Sequence, residues 1–205
     1  MKCSATSSLA VVLLVLVAVV CQAQDSSADV VYTNVPAKQE PSTGTAAAAT
    51  SPASRIFVSK ANMRLESRGM TDLVMLVNAE DHTTVVLSPG QKTYQKIGSG
   101  PSQHFRSTDV ENACIDWQNA AVKQLKCEKV GEDVVGGRKT IKDKNSLADG
   151  SAEYVWIDSK LSYVIKWDQG EAAAELHNIK EGPQSVDLFE VPKGYDVASP
   201  RRSRP

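Results

Sequence analysis

The residues of this chain whose types could do chemistry are two cysteines, three histidines and a group of glutamates. Cys114 and Cys127 lie 13 positions apart. An even pair in an oxidising compartment is most simply a disulfide. Closing a loop of that size stabilises a fold by about 3 kcal/mol in the chain-entropy model. Free thiols and a metal or redox centre are the alternatives, and two thiols this far apart lack the paired-ligand spacing of a zinc site. His82, His104 and His177 have no metal-ligand spacing either and read as strand-face or surface residues. Glu171, Glu175 and Glu181 read as carboxylates on solvated strand faces rather than a general acid/base pair. Gly98-Ser99-Gly100-Pro101-Ser102 is a loop, with no G-x-S-x-G elbow around its serines. Gly136-Gly137 has no following Lys-Ser/Thr and so reads as a hairpin turn, not a phosphate cradle. No catalytic constellation emerges. The expectation is a protein that is not an enzyme and carries no metal or cofactor.

The segments around these residues bound the answer. The chain has 205 residues and a formal net charge of −1. No basic face interleaved with aromatics is visible, so nucleic acid is not an expected partner. Residues 1–23 read as a secretory signal peptide. Met1-Lys2 gives the positive start, Leu9 to Val20 is an unbroken apolar run, and Cys21-Gln22-Ala23 is a small-x-small cleavage site. That run is too short to span a bilayer core of roughly 30 Å, so no stable transmembrane segment is expected after cleavage. Lipid anchoring through Cys21 is the alternative, although Val20 is a poor residue to precede a lipidated cysteine. The protein is therefore expected in the periplasm or outside the cell.

Residues 24–54 are rich in Ala, Ser, Thr and Pro and read as a flexible linker, with Val30-Val31-Tyr32 as a small apolar island. Residues 197–205, with Arg201, Arg202 and Arg204, read as a disordered basic tail. Between them, 55–196 is long enough for one real core.

Within that domain, short alternating runs recur between turn signals. Strand-like runs lie at 55–58, 62–66, 71–78, 82–87, 92–97, 130–135, 138–142, 152–157, 163–167 and 172–180, and about nine strands are predicted, mostly as sequential hairpins. In the turn Ser88-Pro89-Gly90-Gln91, Pro fixes φ and Gly is expected to take a positive φ. One helix is predicted from a Thr108-x-x-Glu111 capping start to about Ala121, with Val110, Cys114, Trp117 and Ala121 on one face. The disulfide would staple this helix to the strand at Cys127. Strands do not alternate with helices, which disfavours a parallel sheet. The fold class is mainly β (α+β), a curved antiparallel sheet.

The second half also resembles a family. The order is a hairpin carrying Val130, Gly131, Glu132, Val134, Gly136 and Gly137, then V-W-I-D (Val155 to Asp158). Leu176, Asn178, Ile179, Lys180, Glu181 and Gly182 follow, and then Phe189 to Tyr195. This sequence is similar to the LolA/LolB-like superfamily of envelope proteins, nearest its uncharacterised DUF4412 branch. The resemblance implies a half-barrel sheet with one or two helices across its concave face. It also implies an apolar hollow that holds an acyl chain or a lipidated peptide. Stress-sensing relatives of the RseB/MucB type imply the alternative, an envelope sensor or interaction module with a protein partner and no small ligand. The residues expected to line the hollow are Met63, Leu65, Val74, Met75, Trp117, Tyr154, Trp156, Tyr163, Ile165 and Trp167, because Met and aromatics suit an adaptable apolar site. A one-residue slip in register would exchange lining residues for those of the other face.

Overall fold

A computed structural model describes residues 25–33, 54–68, 72–97, 106–120, 126–146, 150–170 and 172–198. The signal-peptide reading, most of the linker, His104, Glu171 and all but the first residues of the basic tail lie outside these ranges.

Twelve strands form one sheet. They are β1 (Ser26–Thr33), β2 (Ser54–Ser59), β3 (Asn62–Ser67), β4 (Leu73–Asn78), β5 (Thr83–Ser88), β6 (Thr93–Lys96), β7 (Lys126–Val135), β8 (Arg138–Ser146), β9 (Ala152–Asp158), β10 (Tyr163–Asp168), β11 (Ala173–Glu181) and β12 (Asp196–Val197). Their spatial order is β12-β6-β5-β4-β3-β2-β1-β11-β10-β9-β8-β7. All neighbours are antiparallel except the two-residue β12, which runs parallel to β6. One helix, α1 (Ala113–Ala120), sits between β6 and β7 in the chain.

The mainly β, open curved sheet agrees with the expectation, and its strand count exceeds it at both ends. The eight residues of β1 fall inside the stretch read as a flexible linker. They pair with β2 on one side and β11 on the other, so this strand joins the β2–β6 meander to the β7–β11 meander. Its inward residues Ala28 and Val30 are buried. Val197, read as the start of the tail, lies in β12, and the next residue's amide donates to Tyr94 O at 2.7 Å.

The turns show how local chemistry sets register. Gly136 and Gly137 both have positive φ (56° and 77°), the requirement of a tight two-residue hairpin between β7 and β8. At Asn78 the side-chain Oδ1 accepts from the amides of Glu80 (2.9 Å) and Asp81 (3.0 Å), closing the β4–β5 turn. The Pro89–Gln91 turn differs from expectation, since the left-handed residue is Lys92 (φ 50°) and not Gly90. A short 3-10 turn consumes Pro-Gly-Gln, and its Lys92 amide closes back on Pro89 O at 3.2 Å. The helix also starts later than predicted. Asp109, not Thr108, supplies the cap, accepting from Glu111 N at 3.1 Å. The Thr108 hydroxyl is instead spent on Asp116 Oδ2 at 2.9 Å.

The Cys114–Cys127 disulfide is present and ties α1 to β7. Gln118 Nε2 also donates to Cys127 O at 3.3 Å, and in the 3-10 turn just before α1 Glu111 pairs with Lys129. Replacing both cysteines by serine should lower unfolding stability by about 3 kcal/mol, read from denaturant midpoints. A loss below about 1 kcal/mol would mean that the helix is held without the bond.

Candidate functional site

Side chains alternate across each strand, so every strand feeds two different cores. One face carries a cluster that runs across eight strands: Ala28 and Val30 (β1), Ile56 and Val58 (β2), Met63 (β3), Val77 (β4), Val135 (β7), Trp156 (β9), Tyr163 and Ile165 (β10), and Ala174 and Leu176 (β11). Leu65, Met75, Tyr154 and Trp167 pack at its margins. Within this cluster the Tyr163 hydroxyl donates to Met63 Sδ at 3.1 Å. Strands β3 and β10 are four places apart in the sheet, a separation of about 19 Å if it were flat. Two side chains cannot bridge that span, so the sheet curls toward this face. This is the concave side.

Of the ten residues expected to line a hollow, the structure brings eight into contact with this cluster: Met63, Leu65, Met75, Tyr154, Trp156, Tyr163, Ile165 and Trp167, the last of which is paired with Val155 and also packs against the cluster under α1. Val74 is not among them. It is adjacent to Met75 in β4 and therefore faces the other way, into a convex-side cluster with Leu76 and Leu87. Trp117 belongs to α1, and its side chain lies outside the described ones. The helix itself differs from the resemblance's expectation. Ala113 packs against Val155, Ile157 and Val164, which alternate with the concave-face residues, so α1 covers the convex side. The convex face of the other half is covered by the segment after β11. Val191 and Tyr195 lie on Val74, Leu76 and Leu87, and Arg64 Nη1 donates to Leu188 O at 3.0 Å. The Phe189-to-Tyr195 motif is thus a strap.

One margin of the concave face is polar in an ordered way. Trp156 has Lys142 and Lys166 as its cross-strand partners on β8 and β10. Their ammonium groups sit 4.7 and 4.9 Å from its ring, and Lys142 is also 4.7 Å from the Tyr154 ring. Such cation–π contacts contribute about 0.5–1 kcal/mol each when exposed. The indole Nε1 donates to Asp133 Oδ2 at 2.8 Å, and this bond above all holds the Asp133 carboxyl below its ordinary range. Lys166 also lies 3.5 Å from Glu175. Deep in the cluster, burial pushes the Tyr163 phenol above its usual range, so it stays a neutral donor. Arg106 bridges to Tyr163 through the backbone, and burial lowers its side chain from the ordinary arginine value.

Sequence reading missed the two lysines and the contributions of β1 and β2. The lysines were findable: the Gly136-Gly137 turn fixes β8, and one further hairpin places Lys142 opposite Trp156. The two described histidines stand apart. His82 occupies a turn with positive φ (51°), and exposed His177 lies 3.4 Å from Glu175. Glu181 is committed to Arg138 and Lys160.

No family model matches the chain, and no curated protein does. Among solved structures it is similar to an uncharacterized conserved protein from Thermus thermophilus, with a TM-score of 0.52 at 9% identity over 87% of this chain and 91% of that one. It is equally similar to PNGF-II, with a TM-score of 0.52 at 11% identity over 86% of this chain. There it spans 31% of the other protein's length. A looser superposition, with a TM-score of 0.27 at 12% identity, relates 80% of it to 89% of an outer-membrane lipoprotein-sorting protein domain from Vibrio parahaemolyticus. At these identities the first two likenesses establish a shared fold.

Proposed function

We propose that the chain is an exported binding protein that takes an acyl chain, free or on a lipidated peptide, along the concave face of its sheet. The continuous apolar cluster under the curled sheet, edged by lysines, carries this reading. Met63, Trp156 and Tyr163 are buried against one another with Met75 at their margin, so an acyl chain would enter by displacing this adaptable Met and aromatic packing. Lys142 and Lys166 stand where a carboxylate or phosphate end group would emerge. The disulfide fits a protein working in an oxidising compartment, and among the described residues no helix is long and apolar enough to cross a membrane. The likeness to LolA-like carriers, and to the DUF4412 branch in particular, is part of this proposal. No residue is assigned to catalysis.

Titrating the protein with a fluorescent fatty acid tests it. Micromolar binding is expected, and each 1.4 kcal/mol lost is a tenfold weaker Kd. Lys142→Ala with Lys166→Ala should weaken a fatty acid about tenfold and its methyl ester little. Absence of binding, together with a purified protein free of co-purifying lipid by native mass spectrometry, sinks the proposal.

A second reading, a protein-partner module, rests on β7. This strand ends the sheet, is ten residues long, and exposes Val130 and Val134. Unpaired edge groups of this kind accept an added strand. Val134→Lys would abolish partner capture in that reading and leave fatty-acid binding unchanged.

A further inference from the structure

Beneath α1, β7 and β8 bring a third polar group to the disulfide. A carboxylate oxygen of Asp143 and the two sulfurs of Cys114 and Cys127 all lie within 4.8 Å of one another. Asp143 is 1% exposed, and its Oδ2 has no hydrogen-bond partner. Asn145, 4% exposed and directly opposite Cys127 across the β7–β8 ladder, likewise has an Oδ1 without a partner. A buried acceptor left unsatisfied costs about 1–3 kcal/mol. A disulfide has no proton to offer either of them, whereas two thiols have two. The local environment therefore favours the reduced pair more than an apolar setting would. Cys114 is only half-buried and Cys127 lies deeper beside Asp143, so a small reductant would attack at Cys114.

We propose that Cys114–Cys127 is an exchange-active disulfide, reduced by a dithiol, with Asp143 as the group that protonates the departing cysteine. A thiolate of the reductant attacks one sulfur, and the S–S electron pair leaves on the other, which takes the proton of Asp143. The reductant's second thiol passes its proton to Asp143, attacks the mixed disulfide and expels the first cysteine, which takes that proton in turn. Two electrons and two protons pass to the protein, the dithiol becomes a disulfide, and solvent reprotonates Asp143. Burial supports the role, since it holds the Asp143 carboxyl up at about 6, where an acid can still give a proton near neutral pH. The charged groups facing it are Lys129, directly across on β7, and Glu111 before α1, which pairs with Lys129. On β9 its partner is the apolar Val155, and Glu153, further along that face, is engaged by Gln169 at 2.7 Å. Reduction would free the short helix from β7 and uncover Val155, Ile157 and Val164.

The test is to equilibrate the whole chain in dithiothreitol redox buffers, trap free thiols, and count them by mass spectrometry. Asp143→Leu removes the acceptor and should lower the equilibrium constant for reduction about tenfold, which is about 30 mV for a two-electron couple. In the unmodified protein the reduction rate, corrected for reductant thiolate, should fall as pH rises through about 6. Asp143→Asn should react more slowly with a flat profile. If the leucine variant misfolds, the near-isosteric asparagine variant decides through its pH profile. An unchanged equilibrium constant in Asp143→Leu, or an unchanged pH profile in Asp143→Asn, overturns the proposal.

Discussion

Deleting residues 25–33 should leave a chain that no longer unfolds in one cooperative transition, the largest effect expected of any change to this protein. Strand β1 supplies ladder partners to both β2 and β11, and no other pairing joins the two meanders among the described residues. Without it, β2 and β11 each present a bare edge, and Ile56, Val58, Ala174 and Leu176 lose their covering neighbours Ala28 and Val30. A single change makes the same case. Val30→Pro removes an amide from a central strand and should cost at least about 3 kcal/mol. The measurement is chemical denaturation followed by tryptophan fluorescence and far-UV circular dichroism. Coincident, wild-type-like transitions in the deletion would show that the two meanders hold together without β1. A synthetic peptide covering 25–33, added in trans, should restore the single transition.

The second large effect centres on Asp158, at the end of β9. Its side chain is almost wholly buried and fully engaged. One oxygen accepts from the backbone amides of Lys160 and Leu161, both at 2.8 Å, and shapes the β9–β10 turn. The other oxygen accepts from Arg138, which also reaches Glu181 on β11 at 2.8 Å, and Lys160 pairs with Glu181 as well. Three strands are laced at one corner. Asp158→Ala strands two amides and leaves Arg138 with Glu181 alone, so it should destabilise by about 2–4 kcal/mol. Asp158→Asn keeps one acceptor and should cost roughly half as much. A loss under about 1 kcal/mol in the alanine variant would show that the turn is set by its backbone alone. The same corner gives a pH dependence. Lys160 first, then Arg138, hold the Glu181 carboxyl below its ordinary value. Its contribution is therefore present above the unfolded-state value and is lost as pH falls through the lower folded-state value. Glu181→Gln should remove that part of the acid sensitivity.

The hairpins were readable because their information is local. Gly136-Gly137 and Asn78 set turns through their own φ preferences and side-chain bonds, and the alternating runs beside them had only one way to face. Strand β1 was not readable for the opposite reason. SSADVVYT carries little apolar weight, and its strand character comes from partners about 25 and 150 residues away. The concave-face set was mostly legible from Met and aromatic alternation. Val74 entered it wrongly because LVMLV is apolar on both faces, and only the ladder to β3 and β5 tells them apart. The helix's side of the sheet could not be read from its own stripe, which says that one face is buried but not on what.

The central position of β1 also bears on how the chain acquires its shape. Its partner residues on β11 lie at 173–181, so the sheet cannot close until nearly all of the domain is available. Contacts this distant in sequence make folding slow, because a long loop must be ordered before the pairing that rewards it can form. Such a chain should refold in seconds rather than milliseconds. A polypeptide that stays open until its last long strand appears is suited to passing through a membrane pore before it folds.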